Sequence, residues 1–269
     1  MARIGDDWRD LTPLSRDASG LAHAVFGVGP PVLFLHGTAM DYRIWHPIVK
    51  RLQDHCSCIV VDLPGHGSSD GCHRYDYLMI ADQLERTVSC RGFTDPVVVG
   101  HSLGAFVATF FGARHACRGI INIEQRLELS PIVAAIRPLE PALKGVGFPE
   151  VLAAIKSTFG IGRLPEDTRE LAETCWRPDQ QTVLGYWDIL FGHSIDELDA
   201  IMTGALQSIA APYLVIHGSS PDPFYRAWLS DRLRDVRVVD YGASGHFVHL
   251  EDVDAFSSLV HQFVATRCS

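Results

Sequence analysis

Gly100-His101-Ser102-Leu103-Gly104 sets a serine between two glycines, directly after the apolar run Val97-Val98-Val99 and before a stretch with helical spacing. A G-x-S-x-G pentapeptide between strand and helix is the pattern that lifts a serine hydroxyl out of a sharp turn into a cleft. The turn is tight enough that Gly100 and Gly104 must lack side chains for strand and helix to approach each other. At the helix N-terminus the dipole favours the negative charge that develops as a carbonyl is attacked. The chemistry to expect is nucleophilic attack by Ser102.

A serine hydroxyl needs a base, and thirteen histidines are candidates. His246 closes Gly242-Ala243-Ser244-Gly245-His246, after the last apolar run and before a final helical stretch from Asp252 to Val264. A glycine-containing loop there can carry an imidazole over the sheet edge to the serine. His249, three residues on beside Leu250, reads as a packing residue. Two backbone N–H groups must receive the developing oxyanion. Leu103, following the nucleophile, is one expected donor. Thr38, in His36-Gly37-Thr38-Ala39, is the other, because Gly37 frees that loop to turn its next amide inward. His36 is expected to fix the loop by hydrogen bonds.

The elements that position these residues are short apolar runs bounded by turn residues. They are Pro31–Leu35, Cys58–Val61, Pro96–Val99, Gly119–Ile123, Tyr213–Ile216 and Val236–Val239. Runs this continuous and rich in Val and Ile suit parallel strands covered on both faces. Helical spacing lies between them at Tyr42–Leu52, Tyr77–Val88 and Leu103–Ala113, and this alternation predicts a doubly wound α/β sheet. From about 126 to 211 the alternation stops, and Pro131, Pro138, Pro141, Pro149, Pro165 and Pro178 divide a helical stretch into short pieces. The expected organisation is a core of 1–125 and 212–269, with 126–211 inserted after the sixth core strand as a helical cap. Ligands of open α/β sheets bind outside the carboxyl ends of the strands, so such a cap would shape the pocket.

His36-Gly37, Asp62-Leu63-Pro64-Gly65-His66-Gly67-Ser68-Ser69, Gly100-His101-Ser102-Leu103-Gly104-Ala105 and Gly245-His246-Phe247 together resemble the landmarks of the α/β-hydrolase superfamily. The resemblance covers roughly residues 20 to 265. It implies an eight-stranded, mostly parallel sheet flanked by helices, a Ser–acid–His triad under a cap, and no metal or organic cofactor. The order nucleophile first, histidine last, agrees with that fold. Asp62 is read as a turn-fixing residue. Haloalkane dehalogenases and epoxide hydrolases carry aspartate where this chain has Ser102, so the resemblance points away from both.

The triad acid has two candidates. Most members of the superfamily take it from the loop after the strand that here ends Val215-Ile216-His217-Gly218, and Asp222 follows. Asp222 stands one residue further from the glycine than usual, and prolines on both sides also suit a turn or cap. A minority draw the acid from the preceding core strand, where Asn122-Ile123-Glu124-Gln125 places a carboxylate at the carboxyl end. Burying that glutamate unpaired would be costly, and an imidazole partner would remove the penalty. Glu124 is therefore preferred, with Asp222 as the alternative.

Gly37 and Trp45 near the oxyanion loop, and Trp176, Tyr186, Trp187, Phe191 and His193 in the cap, are the expected substrate-binding residues. The same aromatics could instead glue the cap to the core. No Arg or Lys in the elbow or oxyanion loop suggests a phosphate or CoA site. A net charge of −9 without a basic cluster argues against nucleic acid. No apolar run approaches a membrane span, and the first residues lack the apolar core of a secretory signal. Seven cysteines without metal or redox spacing read as reduced thiols in a cytoplasmic protein, Cys56 and Cys58 packing on one side. No pattern speaks to oligomeric state. The expected activity is serine hydrolysis of a carboxylic ester or lactone of a modest-sized hydrophobic substrate, possession of a strand-end glutamate being shared with some fungal macrolactone hydrolases. A carbon–carbon bond hydrolase of ring-cleavage products and a ligand-binding receptor on a hydrolase scaffold are the alternatives, and perhydrolysis is a conceivable side reaction.

Overall fold

The computed structural model describes residues 5, 7, 8, 14–16, 18–242 and 245–266. Its strands are β1 (Ser15–Arg16), β2 (Ala22–Phe26), β3 (Pro31–Leu35), β4 (Ser57–Val61), β5 (Val97–His101), β6 (Gly119–Ile123), β7 (Tyr213–His217) and β8 (Val236–Asp240). They form one eight-stranded sheet in the order β1-β2-β4-β3-β5-β6-β7-β8. The β1–β2 and β2–β4 pairings are antiparallel, and the other five are parallel. The six apolar runs are strands. β1 and β2 are additional, and neither carries the Val/Ile run that marked the others.

Period-two alternation divides the core into two layers. Leu33, Leu35, Ile59, Val61, Val98 and Val215 face α2 (Tyr77–Cys90) and α3 (Leu103–Arg114). Val32, Phe34, Val60, Val99, Leu214 and Ile216 face α1 (His46–Leu52) and α12 (Val253–Ala265). Covered on both faces, these strands need no polar side, which is why they read as unbroken apolar runs. α3 is buried nearly all round, as its position between sheet and neighbouring helices requires. The expected helix over Tyr42–Leu52 is split into a 3-10 turn, Tyr42–Trp45, and α1. Pro47 has no N–H and sits in the first turn of α1, where that loss is tolerated.

Between β6 and β7 run α4 (Ser130–Ile136), α5 (Glu140–Lys144), α6 (Phe148–Ser157), α7 (Glu166–Cys175), α8 (Gln180–Gly192) and α9 (Ile195–Ser208). Pro131, Pro141 and Pro149 stand in the first turns of α4, α5 and α6, so the prolines mark helix starts. α9 packs along α3 and so extends the layer covering the sheet. After β7 come α10 (Pro223–Arg232) and, past β8, α11 (Val248–Glu251). Among the described residues no helix is long and apolar enough to cross a membrane.

Candidate active site

Ser102 sits between β5 and α3 at φ 51° and ψ −119°, a left-handed backbone that L-residues rarely adopt. Its amide donates to the Ile123 carbonyl at 2.9 Å, which ties the strained turn to the next strand. A Cβ on Gly100 would collide with the backbone of Gly104 and Ala105, and one on Gly104 with the carbonyl oxygens of Leu35 and His36. Backbone cannot yield as a flexible side chain does. Gly104→Ala is therefore expected to cost about 3 kcal/mol or more of stability, read as a lowered urea midpoint.

The loop after β3 is held by two buried histidines. Because carbonyl oxygens only accept, the His36 Nδ1–H donates to Gly37 O at 2.9 Å, and its Nε2 accepts from the Leu63 amide at 3.0 Å. His66 repeats the arrangement, Nδ1–H to Pro64 O at 3.1 Å and Nε2 from the Ala39 amide at 3.2 Å. Burial drives His36 down to about 4 and His66 down to about 3, so both are neutral crosslinks between this loop and residues 62–66. Asp62 fixes the neighbouring turn by accepting from the Tyr42 and Ser68 amides, each at 2.8 Å. Burial outweighs those bonds and lifts its carboxyl to about 7. Thr38 and Leu103 both line the cavity beside Ser102. As a first-turn residue, Leu103 has an amide with no partner inside its own helix.

Glu124 follows β6, also in a left-handed conformation at φ 55°. Its Oε2 lies 3.8 Å from His246 Nδ1, and its Oε1 lies 3.5 Å from His217 Nδ1 and accepts from the Gly218 amide. The His246 contact is longer than a hydrogen bond. Burial would raise the Glu124 carboxyl, but the two imidazoles and the Gly218 amide outweigh it and hold the group at about 2. Asp222 is engaged elsewhere. It caps α10 by accepting from the Tyr225 amide at 2.9 Å and pairs with Arg126 Nη1 at 2.9 Å.

His246 is clamped by Phe159, a residue just beyond α6. Its amide donates to Phe159 O at 2.9 Å, and the two rings stack with centroids 4.4 Å apart. Its carbonyl meets His101 Nε2 at 2.8 Å. Ala243 and Ser244 of the same loop lie outside the described residues. His249 is fully buried against Trp45 and His101, with neither nitrogen hydrogen-bonded among the described residues, as suits a packing residue.

Above Ser102 opens a cavity of about 460 Å3 whose lining is mostly apolar. Gly37, Trp176, Tyr186 and Trp187 line it as expected. Three other expected residues do not. Trp45 is fully buried in the core against Phe34, at 5.2 Å between rings. Phe191 turns to a satellite cluster with Leu143 and Phe148, under Lys144. His193 follows α8 and lines a separate outer groove, its Nδ1 bonded to the Ile189 carbonyl. The walls that sequence reasoning did not name include Met40, Tyr77, Phe106, Ile132 and Phe159. Tyr77 is joined to the wall through its hydroxyl, which donates to Tyr186 O at 2.8 Å. Among the described residues Arg126 is the one lysine or arginine that lines the cavity, and it is engaged by Glu128, Asp222 and the Tyr225 ring. Among the described residues no three His, Cys, Asp or Glu side chains gather as a metal site would need.

A sequence model of the Alpha/beta hydrolase family matches residues 32–259 of the chain. The pimeloyl-acyl-carrier-protein methyl ester esterase of Vibrio campbellii is 26% identical over 264 residues, covering 89% of this chain and 96% of that protein. The 2-(acetamidomethylene)succinate hydrolase of Mesorhizobium japonicum is 27% identical over 238 residues, covering 83% and 84%. Among solved structures, an esterase from Exiguobacterium antarcticum superposes with a TM-score of 0.74 at 19% identity, over 91% of this chain and 95% of that one.

Proposed function

Because the chain belongs to the α/β hydrolase family, we propose that it hydrolyses a carboxylic ester or lactone of a modest-sized hydrophobic substrate, with Ser102 as nucleophile. The observation that carries this reading is the convergence of Ser102, His246 and Glu124 on one apolar cavity. The esterase and hydrolase names of the relatives support it.

In this mechanism His246 Nδ1 faces Glu124, leaving Nε2 to take the Ser102 proton as Oγ attacks the carbonyl. The Leu103 and Thr38 amides receive the oxyanion. Collapse of the tetrahedral intermediate breaks the ester C–O bond, and the imidazolium returns its proton to the departing alkoxide. Water, deprotonated by His246, then releases the acid from the acyl-enzyme. The segment 126–211 serves as the cap, with α4, α6 and α8 supplying apolar walls. With Arg126 held by two carboxylates, those walls favour a neutral substrate over a carboxylate-bearing one. The free thiols of the described cysteines fit a reducing, cytoplasmic setting.

The test is turnover of p-nitrophenyl esters of increasing acyl length together with fluorophosphonate labelling. Wild type should turn over and be labelled at Ser102, and Ser102→Ala should lose at least about 10^4-fold in kcat and all labelling. Ligand binding with neither turnover nor labelling would instead favour a receptor.

A further inference from the structure

We infer that His217 is a positioning residue for this reaction, pinning one oxygen of Glu124 so that the other faces His246. The inference rests on the serine-hydrolase reading above. β6 and β7 pair in parallel with Ile123 opposite Ile216, which brings Glu124 and His217 side by side at the strand ends. The Glu124 carboxylate then spans two imidazoles, His217 Nδ1 at 3.5 Å from Oε1 and His246 Nδ1 at 3.8 Å from Oε2. The Gly218 amide donates to the same Oε1, so residues 217 and 218 grip one oxygen together.

A bare nitrogen lone pair aimed at a carboxylate would repel it, so His217 carries its proton on Nδ1 and donates toward Glu124. That leaves Nε2 as a buried acceptor with no hydrogen-bond partner among the described residues. Its ring meets the edge of Tyr225 at 5.8 Å, and its carbonyl accepts from the Tyr241 amide at 2.8 Å. Among the described residues the polar end of this side chain thus has one polar partner, Glu124.

There is a physical need for such a pin. Glutamate has one more rotatable bond than aspartate, and an unrestrained carboxylate would sample orientations that leave His246 unsupported. Glu124 also begins from a left-handed backbone, so its direction is not fixed by regular strand geometry. Outer partners that orient a working group typically contribute about 10- to 100-fold to activity.

The experiment compares kcat, KM and fluorophosphonate labelling rate for wild type, His217→Leu, His217→Asn, Glu124→Gln and the His217→Leu/Glu124→Gln double variant. His217→Leu should lower kcat and labelling by about 10- to 100-fold with KM within about twofold. His217→Asn offers an N–H near the Nδ1 position and should recover to within about threefold of wild type. In the Glu124→Gln background, His217→Leu should add little further loss, because both act through the same carboxylate. Wild-type kinetics in His217→Leu would overturn the inference. So would equal losses in Asn and Leu, or a full additive loss in the double variant. Absence of Ser102-dependent turnover in wild type would overturn the hydrolase reading itself, and the His217 role with it.

Discussion

Glu124→Gln is expected to lower kcat by about 10^3- to 10^4-fold with little change in KM, while Asp222→Asn stays within about threefold of wild type. Glutamine keeps the size of the side chain and an oxygen acceptor but removes the charge that stabilises the imidazolium formed in the transition state. Its amide can also present N–H to His246 Nδ1 and favour the wrong tautomer. Held at about 2, the Glu124 carboxyl is ionised throughout any practical assay range, so the wild-type pH profile above about pH 4 should carry no contribution from its protonation. Asp222 is half exposed, and its pairing with Arg126 is of the kind worth little in solvent. Steady-state kinetics of the two variants, with circular dichroism to verify folding, decide the matter. Collapse of Asp222→Asn alongside an active Glu124→Gln would reverse the assignment of the acid.

What the sequence made legible follows from local geometry. The parallel strands announce themselves because burial on both faces forces Val and Ile into unbroken runs, and the G-x-S-x-G turn because backbone approach excludes every other residue at Gly100 and Gly104. β2 escapes this reading because its core includes His23, an imidazole bonded to Arg91 at 2.7 Å, a compensation visible only in three dimensions. Glu124 could be singled out because a carboxylate ending an apolar strand demands a partner. His217 could not, since a histidine ending the neighbouring strand carries no such demand until the pairing register brings the two together.

The cavity walls were the least legible part. Tyr186 and Leu190 lie one helical turn apart and both line the cavity, so periodicity is informative within α8. It fails for His193, which lies beyond the helix, and for Phe191, one position round from Leu190 on a different face. Trp45 is near the oxyanion loop in sequence, yet the 3-10 turn that carries it rolls the ring into the core. Phe159 lies in a turn between helices with no periodic signal, and its stacking on His246 is wholly a tertiary fact.

Acid should destabilise this protein strongly before its carboxylates are neutralised. His36, His66, His101 and His249 are all buried and held neutral, His36 at about 4, His66 and His249 at about 3, and His101 well below its ordinary value, chiefly because burial penalises the charged ring. Each can take up a proton on unfolding once the pH drops below about 6.5. Their contribution to stability is thus fully present above that pH and is lost as the pH falls toward the folded values. Asp62 acts in the opposite sense. Lifted to about 7 by burial, it is protonated in the folded chain below that pH and releases its proton on unfolding between the ordinary aspartate value and about pH 7. Four histidines against one carboxyl leave about three protons taken up near pH 5, a slope of about 4 kcal/mol per pH unit. Against a total stability of roughly 5–15 kcal/mol, the loss accumulated on going from pH 7.5 to pH 5 is about 5 kcal/mol, a third or more of the whole. Urea midpoints at pH 7.5, 6.5, 5.5 and 5.0 provide the measurement. His249→Phe removes one titrating ring whose nitrogens have no hydrogen-bond partner among the described residues, so it should flatten the slope by roughly a quarter to a third. A midpoint unchanged between pH 7.5 and 5.0 would mean that these rings accept protons without leaving the fold.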